Sequence, residues 1–292
     1  MGSRKIMRTS FKHITIIGVG LIGGSFALAL RKHGFKGKIT GTGRNTKNLG
    51  KAEKLGIIDR YTTEFNEGVK DADLIMLAVP VGQFETILKN IRRNLKKGAI
   101  VTDVGSVKSQ IVKKLEPLMP EGAYFVGAHP IAGKECSGVT CACADLYENA
   151  RCIITPDPAT NKTALKKVIS LWKNVGAQTM LMDPEDHDVI FSAVSHLPHV
   201  VAYALVNGIM KVDEAILHHG GKGLRDMTRI AKSPAELWRD ICSHNKKNIL
   251  RSLKMFSSSI SNITRLIERS DWKGLEKEFI KARKARQPLE SD

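Results

Sequence analysis

Histidines in two short motifs are the side chains of this chain best suited to acid–base chemistry. One motif, at 127–133, reads Gly-Ala-His-Pro-Ile-Ala-Gly and contains His129. The other, at 195–199, reads Ser-His-Leu-Pro-His and contains His196 and His199. Imidazole ordinarily titrates near neutral pH, so each histidine could accept a proton in a reaction. A hydroxyl, Ser106, lies upstream in the segment Asp-Val-Gly-Ser at 103–106 and could orient His129.

A glycine-rich segment precedes these motifs and indicates a dinucleotide site. Gly18, Gly20 and Gly23 have the spacing Gly-x-Gly-x-x-Gly, between a predicted strand at 13–19 and a predicted helix at 21–33. In that setting the first glycine permits the turn, the second lets the backbone approach a pyrophosphate, and the third allows close packing of helix on strand. The phosphates would lie at the helix N-terminus. Further expected cofactor contacts are Leu21, Ile22, Val79, Pro80 and Ser106.

The end of the second predicted strand bears on which dinucleotide binds. An acidic residue about 20 positions after the glycines commonly holds the ribose 2′-hydroxyl of NAD. The segment 41–46 contains no carboxylate and instead offers Arg44 between Thr42 and Thr46. These residues suit a 2′-phosphate, so the sequence favours NADP over NAD. The alternative is that Arg44 stacks on the adenine, which is compatible with NAD.

The pattern of elements predicts an α/β fold followed by helices. Short apolar, β-rich runs alternate with helical patterns from 13 to about 183, as in a Rossmann-like, doubly wound and mainly parallel sheet. From 184 onward only helical patterns occur. We therefore expect a dinucleotide-binding domain at 1–183 and an all-helical substrate and dimerisation domain at 184–292. The many apolar residues of the helical part, such as Ile260 and Ile267, favour a homodimer through that part.

Composition narrows the class of protein. Hydrophobic residues make up 42% and charged residues 26% of the 292 residues, as in globular proteins. The net charge of +17 is spread along the chain with only 5% aromatic residues, which favours attraction of anionic ligands over nucleic-acid binding. We found neither a signal peptide nor an uninterrupted apolar run of about 18 residues, so a cytoplasmic protein without a membrane segment is expected.

Five cysteines, four of them between 136 and 152, raise the question of a metal or redox site. Their spacing includes no Cys-x-x-Cys, and no His-x-His lies near them. The sequence therefore predicts reduced thiols and no metal site.

Taken together, the motifs resemble those of the prephenate/arogenate dehydrogenases of tyrosine biosynthesis. The similarity runs in order from about 18 to 240. Its pieces are Gly-Val-Gly-Leu-Ile-Gly-Gly-Ser at 18–25, Asp-Val-Gly-Ser-Val-Lys at 103–108, Gly-Ala-His-Pro-Ile-Ala-Gly at 127–133, Ser-His-Leu-Pro-His at 195–199, Arg-Asp-Met-Thr-Arg-Ile-Ala at 225–231, and Trp238. The segment 41–46 departs from the members that prefer NAD.

The resemblance implies an NAD(P)-dependent oxidative decarboxylation that converts a cyclohexadienol acid into an aromatic product. It implies that His129 accepts the hydroxyl proton, that Ser106 orients His129, and that Arg229 binds a substrate carboxylate. It also implies that His196 and His199 lie near the substrate. Two alternatives remain open for Trp238: it reaches the substrate from a second subunit, or it belongs to the core or the dimer interface. Glu135 and Asp188 are candidate acidic partners of Arg229. The small-molecule substrate is prephenate or arogenate.

Two rival functions remain open at this stage. A β-hydroxyacid-type dehydrogenase shares the two-domain plan but usually carries a catalytic lysine on its helical domain, where this chain offers His196 and His199. A dinucleotide-sensing or nucleic-acid-binding protein would explain the charge. It would not explain Ser106, His129 and Arg229 in this order.

Overall fold

An eight-stranded sheet forms the centre of the computed structural model, which describes residues 9–287. The strand order is β3-β2-β1-β4-β5-β6-β7-β8. All neighbouring pairs are parallel except β6 and β7, which run antiparallel. The strands are β1 His13–Ile17, β2 Lys38–Thr42, β3 Arg60–Thr62, β4 Leu74–Leu77, β5 Ile100–Asp103, β6 Tyr124–Pro130, β7 Arg151–Thr155 and β8 Gln178–Leu181.

Burial on both faces explains why the central strands read as continuous apolar runs. Every residue of β1 and of β4 is buried, because helices cover both sides of the sheet. The helices between strands are α1 Leu21–Lys32, α2 Thr46–Lys54, α3 Phe65–Val69, α4 Phe84–Ile91, α5 Ser109–Leu115 and α6 Lys162–Asn174. The Rossmann-like fold predicted from the sequence is confirmed, with the short strand β3 as an addition.

Between β8 and residue 287 the structure contains helices and no strand, as the sequence predicts. They are α7 Pro184–Phe191, α8 Leu197–Met210, α9 Lys222–Thr228, α10 Ala235–His244, α11 Lys246–Glu268 and α12 Trp272–Arg286. Asp183 begins α7 by accepting hydrogen bonds from the backbone N–H groups of Glu185 and Asp186 (2.7 and 3.2 Å). A π-helical turn, Ser192–His196, joins α7 to α8 without a break.

The chain forms two compact units, one ending at Asn245 and the other beginning at Lys246. In the first unit, α7 packs on α5, and α10 packs beside the turn Val81–Gln83. These contacts join the first helices after β8 to the sheet. In the second unit, α11 packs on α12, and the Asp271 side chain accepts a hydrogen bond from the backbone N–H of Gly274 (2.9 Å) at the start of α12. The domain boundary at 183/184 stays a prediction.

The continuous helical segment Pro184–Met210 is long and apolar enough to cross a membrane. It has 27 residues and a mean hydropathy of 1.7 over its most apolar window, only 22% of which is buried. It contains no uninterrupted apolar run of that length, because its acidic residues lie between 185 and 188 and serines and histidines interrupt the apolar residues that follow. The same segment carries His187, Asp188 and His196 into the buried interior, so part of it belongs to the core of the first unit.

Candidate active site

A cavity of about 650 Å³ lies at the carboxyl ends of β1, β2 and β4. Gly18 has a φ of +99°, and a Cβ there would lie 2.4 Å from the Ala78 carbonyl oxygen. A Cβ on Gly23 would lie 2.3 Å from the Gly18 carbonyl oxygen, whereas one on Gly20 would meet nothing within 4 Å. Gly18 and Gly23 therefore allow the neighbouring chain segments to pack closely. Gly20 leaves its backbone uncovered next to the start of α1. This cradle fits a dinucleotide pyrophosphate.

Six of the eleven predicted cofactor residues line this cavity, and five, including Gly23 and Ser106, do not. Arg44, Thr46, Val79 and Pro80 line it together with Gly18 and Gly20. Thr42, expected to offer its hydroxyl, is instead fully buried with its side chain against Gly68. That expectation is wrong because Thr42 is still part of β2 and points to the α3 side. Leu21 and Ile22 begin α1 beyond the cavity lining, so only their backbone could meet a phosphate.

The cavity wall after β2 is positively charged. Arg44 and Lys47 line it, and none of its lining residues is acidic. Asn45 begins α2 by accepting a hydrogen bond from the Asn48 N–H (3.0 Å). The Asn48 side chain in turn donates to the Val19 carbonyl (2.6 Å), which ties this turn to the glycine-rich segment. The predicted turn is thus held rigidly beside the cavity.

His129, near the end of β6, is buried and hydrogen-bonded to a second histidine. Its Nδ1 lies 2.8 Å from Nε2 of His187, and Nδ1 of His187 lies 2.9 Å from Oδ1 of Asp188. Asp188 can only accept in its ionised form, so His187 donates from Nδ1 and accepts at Nε2. His129 then donates from Nδ1, and its Nε2 carries the lone pair of a base.

Burial lowers the pKa of His129 well below its ordinary value, with further lowering by His187, Lys108 and His196. Burial also lowers the pKa of His187, although Asp188 opposes that shift. Both rings are therefore neutral at neutral pH. A neutral ring at His129 is the form that can accept a proton.

The relation of Ser106 to His129 differs from the prediction. Nδ1 of His129 is occupied by His187, so the His187–Asp188 pair orients the ring and Ser106 does not. Ser106 itself is half-buried just after β5, and its carbonyl accepts a hydrogen bond from Nε2 of His196 (3.2 Å). The carboxyl ends of β5 and β6 nevertheless bring Ser106 and His129 to the same edge of the sheet.

His196 and His199 both face the Trp238 ring, but they differ in how many of their ring nitrogens are hydrogen-bonded within the protein. The ring centroids of His196 and Trp238 are 6.1 Å apart, and those of His199 and Trp238 are stacked at 3.7 Å. His196 is fully buried, and its Nδ1 accepts from the side-chain amide of Asn245 (3.2 Å). Burial lowers its pKa to about 4. Both nitrogens of His196 are therefore bonded inside the protein, and its predicted place near the substrate stays a prediction.

His199 keeps one ring nitrogen available among the described residues. Its Nδ1 donates to the Ser195 carbonyl (2.9 Å), which leaves Nε2 as an acceptor. Burial is the main reason that the pKa of His199 is lowered, and Arg229 adds to the effect. Trp238 belongs to the same chain here, and its Nε1 is buried without a hydrogen-bond partner among residues 9–287.

Arg229 is exposed to solvent and forms an ion pair with Glu135. The side chains of Arg229 and Glu135 are 53% and 44% exposed, so the pair is accessible to solvent. Asp188, the other predicted partner of Arg229, is buried and binds His187 and the backbone N–H groups of Lys108 and Ser109. That pairing is wrong because Asp188 faces the interior.

The cysteine-rich loop after β6 contains one disulfide, between Cys136 and Cys141. The expectation of reduced thiols is therefore wrong for these two, since the loop brings their Cα atoms to 6.1 Å. Cys143, Cys152 and Cys242 are free. Between residues 9 and 287 we found no group of three or more side chains that could hold a metal ion.

Two models of one family together match most of the chain. The model described as prephenate dehydrogenase, nucleotide-binding domain, matches residues 26–181. The model described as prephenate dehydrogenase, dimerization domain, matches residues 183–281. The chain belongs to the prephenate dehydrogenase family.

Individual members of the family are similar over nearly the whole chain. Prephenate dehydrogenase of Bacillus subtilis is 36% identical over 280 residues, covering 94% of this chain and 76% of that protein. Cyclohexadienyl dehydrogenase of Zymomonas mobilis is 33% identical and covers 97% and 98%. The crystal structure of Aquifex aeolicus prephenate dehydrogenase with hydroxyphenyl propionate and NAD+ is 41% identical, with a TM-score of 0.90 over 96% of this chain and 99% of that chain.

Membership in the family confirms the resemblance drawn from the motifs and makes the chain a nicotinamide-dinucleotide-dependent oxidoreductase. Sequence reasoning missed four residues of this site: His187, Asp103, Lys108 and Asn245. The sequence indicated them only through two features, the adjacent pair His187-Asp188 and the lysine at the end of the segment 103–108. Their roles depend on contacts between distant parts of the chain.

Proposed function

We propose that the chain oxidises and decarboxylates prephenate or arogenate, giving 4-hydroxyphenylpyruvate or tyrosine, CO2 and the reduced dinucleotide. His129 is the base. Its Nε2 accepts the proton of the ring hydroxyl, and a hydride leaves the same carbon. Loss of CO2 from the quaternary carbon on the opposite side of the ring then makes the ring aromatic. The bound dinucleotide supplies the hydride acceptor.

The observation that carries this proposal is the buried chain of hydrogen bonds from His129 through His187 to Asp188. It fixes the tautomer of His129 and stabilises the imidazolium formed when Nε2 takes the proton. Burial keeps the ring neutral beforehand and excludes water from the proton transfer. A merely structural histidine needs no such aligned acceptor.

Substrate carboxylate binding is assigned to Arg229. A guanidinium can bind a carboxylate through two parallel hydrogen bonds. Its partner Glu135 is exposed, so an incoming carboxylate can replace it at low cost. His199, supported by its stack on Trp238, offers Nε2 to the substrate from the same side. Ser106 is assigned to the nicotinamide amide.

The preferred cofactor is NADP. Arg44 and Lys47 line the cavity after β2, where a carboxylate would repel a 2′-phosphate. The Aquifex relative was crystallised with NAD+, so NAD is the alternative that the cofactor comparison must include.

The active form is a homodimer in the cytoplasm. Support comes from the match to a dimerization domain and from exposed apolar side chains on the segment Pro184–Met210, including Val189, Ile190 and Val194 at 45%, 43% and 65%. Monomers rarely expose such a continuous apolar surface.

The variant His129→Asn tests the proposal. Loss of a general base lowers the rate by on the order of 10²–10⁴. We expect kcat to fall by that range, while KM for the substrate changes little because ground-state contacts remain. Steady-state absorbance at 340 nm, with circular dichroism as the check on folding, measures this. A folded variant with more than about half of the wild-type kcat at neutral pH would exclude His129 as the base.

A further inference from the structure

Lys108 and Asp103 form an ion pair in the interior, beside the proposed base. Both side chains are 0% exposed. Burying two charges costs several kcal/mol per ion before their attraction is counted, and an apolar pair of the same size is often at least as stable. Stability alone therefore does not explain the presence of this buried ion pair.

The contacts of the pair converge on the peptide that precedes His129. Nζ of Lys108 donates to Asp103 and to the Ala128 carbonyl (2.8 Å), and Asp103 accepts a hydrogen bond from the Ala128 N–H (3.1 Å). Both backbone polar groups of Ala128 are thus fixed by the pair. Asp103 also accepts from the Gly105 N–H (2.8 Å), next to Ser106.

The backbone of Lys108 completes a second link to the base. Its N–H donates to Oδ1 of Asp188 (2.7 Å), the same oxygen that accepts from Nδ1 of His187. One residue therefore touches the peptide before His129 through its side chain, and the carboxylate that orients His187 through its main chain.

We propose that Lys108 is the positioning residue of the proton-transfer step: it fixes the two ends of the His129–His187–Asp188 chain and places a positive charge beside it. This inference rests on the proposed role of His129 as the base. Lys108 itself transfers no proton.

The charged and titratable groups around His129 give the direction of the effect. Lys108 and Asp103 face it from the end of β5 and the following loop, His187 and Asp188 from α7, and His196 from the π-helical turn. Cys152 on β7 is paired with Pro130, the residue after His129, and burial raises the pKa of its thiol. Besides burial, His187, Lys108 and His196 lower the pKa of His129, and Lys108 is the only one of these three that is not an imidazole.

The pH dependence of kcat tests this proposal, because kcat falls when His129 is protonated in the substrate complex. In the variant Lys108→Met the lowering charge is gone and Asp103 is left unpaired. The pKa of His129 should rise, so the acid limb of kcat should move to higher pH by about one unit. We would record kcat for the full-length enzyme with both substrates saturating, from about pH 9 down to the lowest pH at which the wild type stays folded, so that its acid limb is reached.

Two further variants separate this effect from loosening of the sheet. Thr102→Val removes a buried hydrogen bond between β5 and β6, from the Thr102 hydroxyl to the Val126 carbonyl (2.8 Å), without changing any charge. It should lower the unfolding midpoint and leave the acid limb in place. Asp103→Asn combined with Lys108→Met removes both charges. This double variant takes the place of Lys108→Met in the experiment if Lys108→Met does not fold. The acid limb of its kcat profile should also lie at higher pH than that of the wild type.

An acid limb that stays at the wild-type pH in whichever of the two Lys108 variants folds would overturn the proposal. A shift of the same size in Thr102→Val would overturn it too, since loosening would then suffice. These outcomes differ from failure of the proposed function. If His129→Asn stays active, the base is misassigned, whereas an inactive His129→Asn with unshifted Lys108 variants refutes only the role of Lys108.

Discussion

His196 and His199 lie three residues apart, yet their ring nitrogens are in different states. His196 is bonded on both sides, to the Ser106 carbonyl and to Asn245, and is fully buried. His199 is bonded on one side only, to the Ser195 carbonyl. Motif spacing cannot separate a histidine that supports the interior from one that meets the substrate, because that difference arises from partners far away in sequence.

A further prediction about a single residue concerns Arg229. Arg229→Ala removes charge-assisted hydrogen bonds worth about 1.5–3 kcal/mol each, so KM for the substrate should rise by roughly tenfold or more, with a smaller change in kcat. Arg229→Lys should recover only part of the loss, because the two-pronged geometry is absent. The control is Arg239→Ala, an exposed arginine that pairs with its neighbour Asp240. Unchanged KM in Arg229→Ala would refute the assignment.

Residue types and their order in the sequence led us to predict His129, Arg229 and the three glycines as site residues, and of these Gly18 and Gly20 line the cavity. Pairings were not predictable in the same way. Asp188 was expected near Arg229 but binds His187, and Thr42 was expected in the cavity but is buried in β2. Each error came from the unknown direction of a side chain, which packing decides.

The prediction of NADP over NAD depends on the turn between β2 and α2. A Cβ on Gly43 would meet nothing within 4 Å, so a larger side chain fits there. Gly43→Asp should place a carboxylate where a 2′-phosphate would bind, weakening NADP by about 1–3 kcal/mol and sparing NAD. Adding Arg44→Ile should switch the preference to NAD.

Leu55→Ser, at the far end of α2, is the matched control for the cofactor prediction, because Leu55 is exposed and not part of the cavity. The measurement is kcat/KM for each dinucleotide at saturating substrate. A wild type that uses NAD at least about tenfold better than NADP would contradict the role assigned to Arg44.

The alternation of strands and helices was readable from the sequence because the parallel strands are buried on both faces and stand out as apolar runs. The short strand β3 was not, since none of its three residues is buried. The π-helical turn at Ser192–His196 was also unforeseen. Such a turn adds a residue to one helical turn and is frequent at functional sites. Here it carries His196 to Ser106.

For the whole molecule, the account predicts a symmetric dimer. Light scattering at micromolar concentration should give roughly 64 kDa, twice the chain mass of 32.1 kDa. Val194→Glu places a charge on the exposed apolar face of the segment Pro184–Met210 and should favour monomers. Leu55→Glu, a similarly exposed position in the nucleotide-binding region, should leave the dimer intact. A fully active 32.1 kDa monomer of the wild type would contradict the prediction.

The central claim is that this chain oxidises a cyclohexadienol acid to an aromatic product. Its most direct test is a two-by-two comparison of rates, with prephenate or arogenate as substrate and NAD or NADP as cofactor. The same reactions would be assayed for CO2 and for the aromatic product. The account predicts that at least one combination yields reduced dinucleotide, CO2 and aromatic product in equal amounts, and that His129→Asn abolishes all three together. No change in absorbance at 340 nm with any combination, from folded wild-type enzyme, would contradict it.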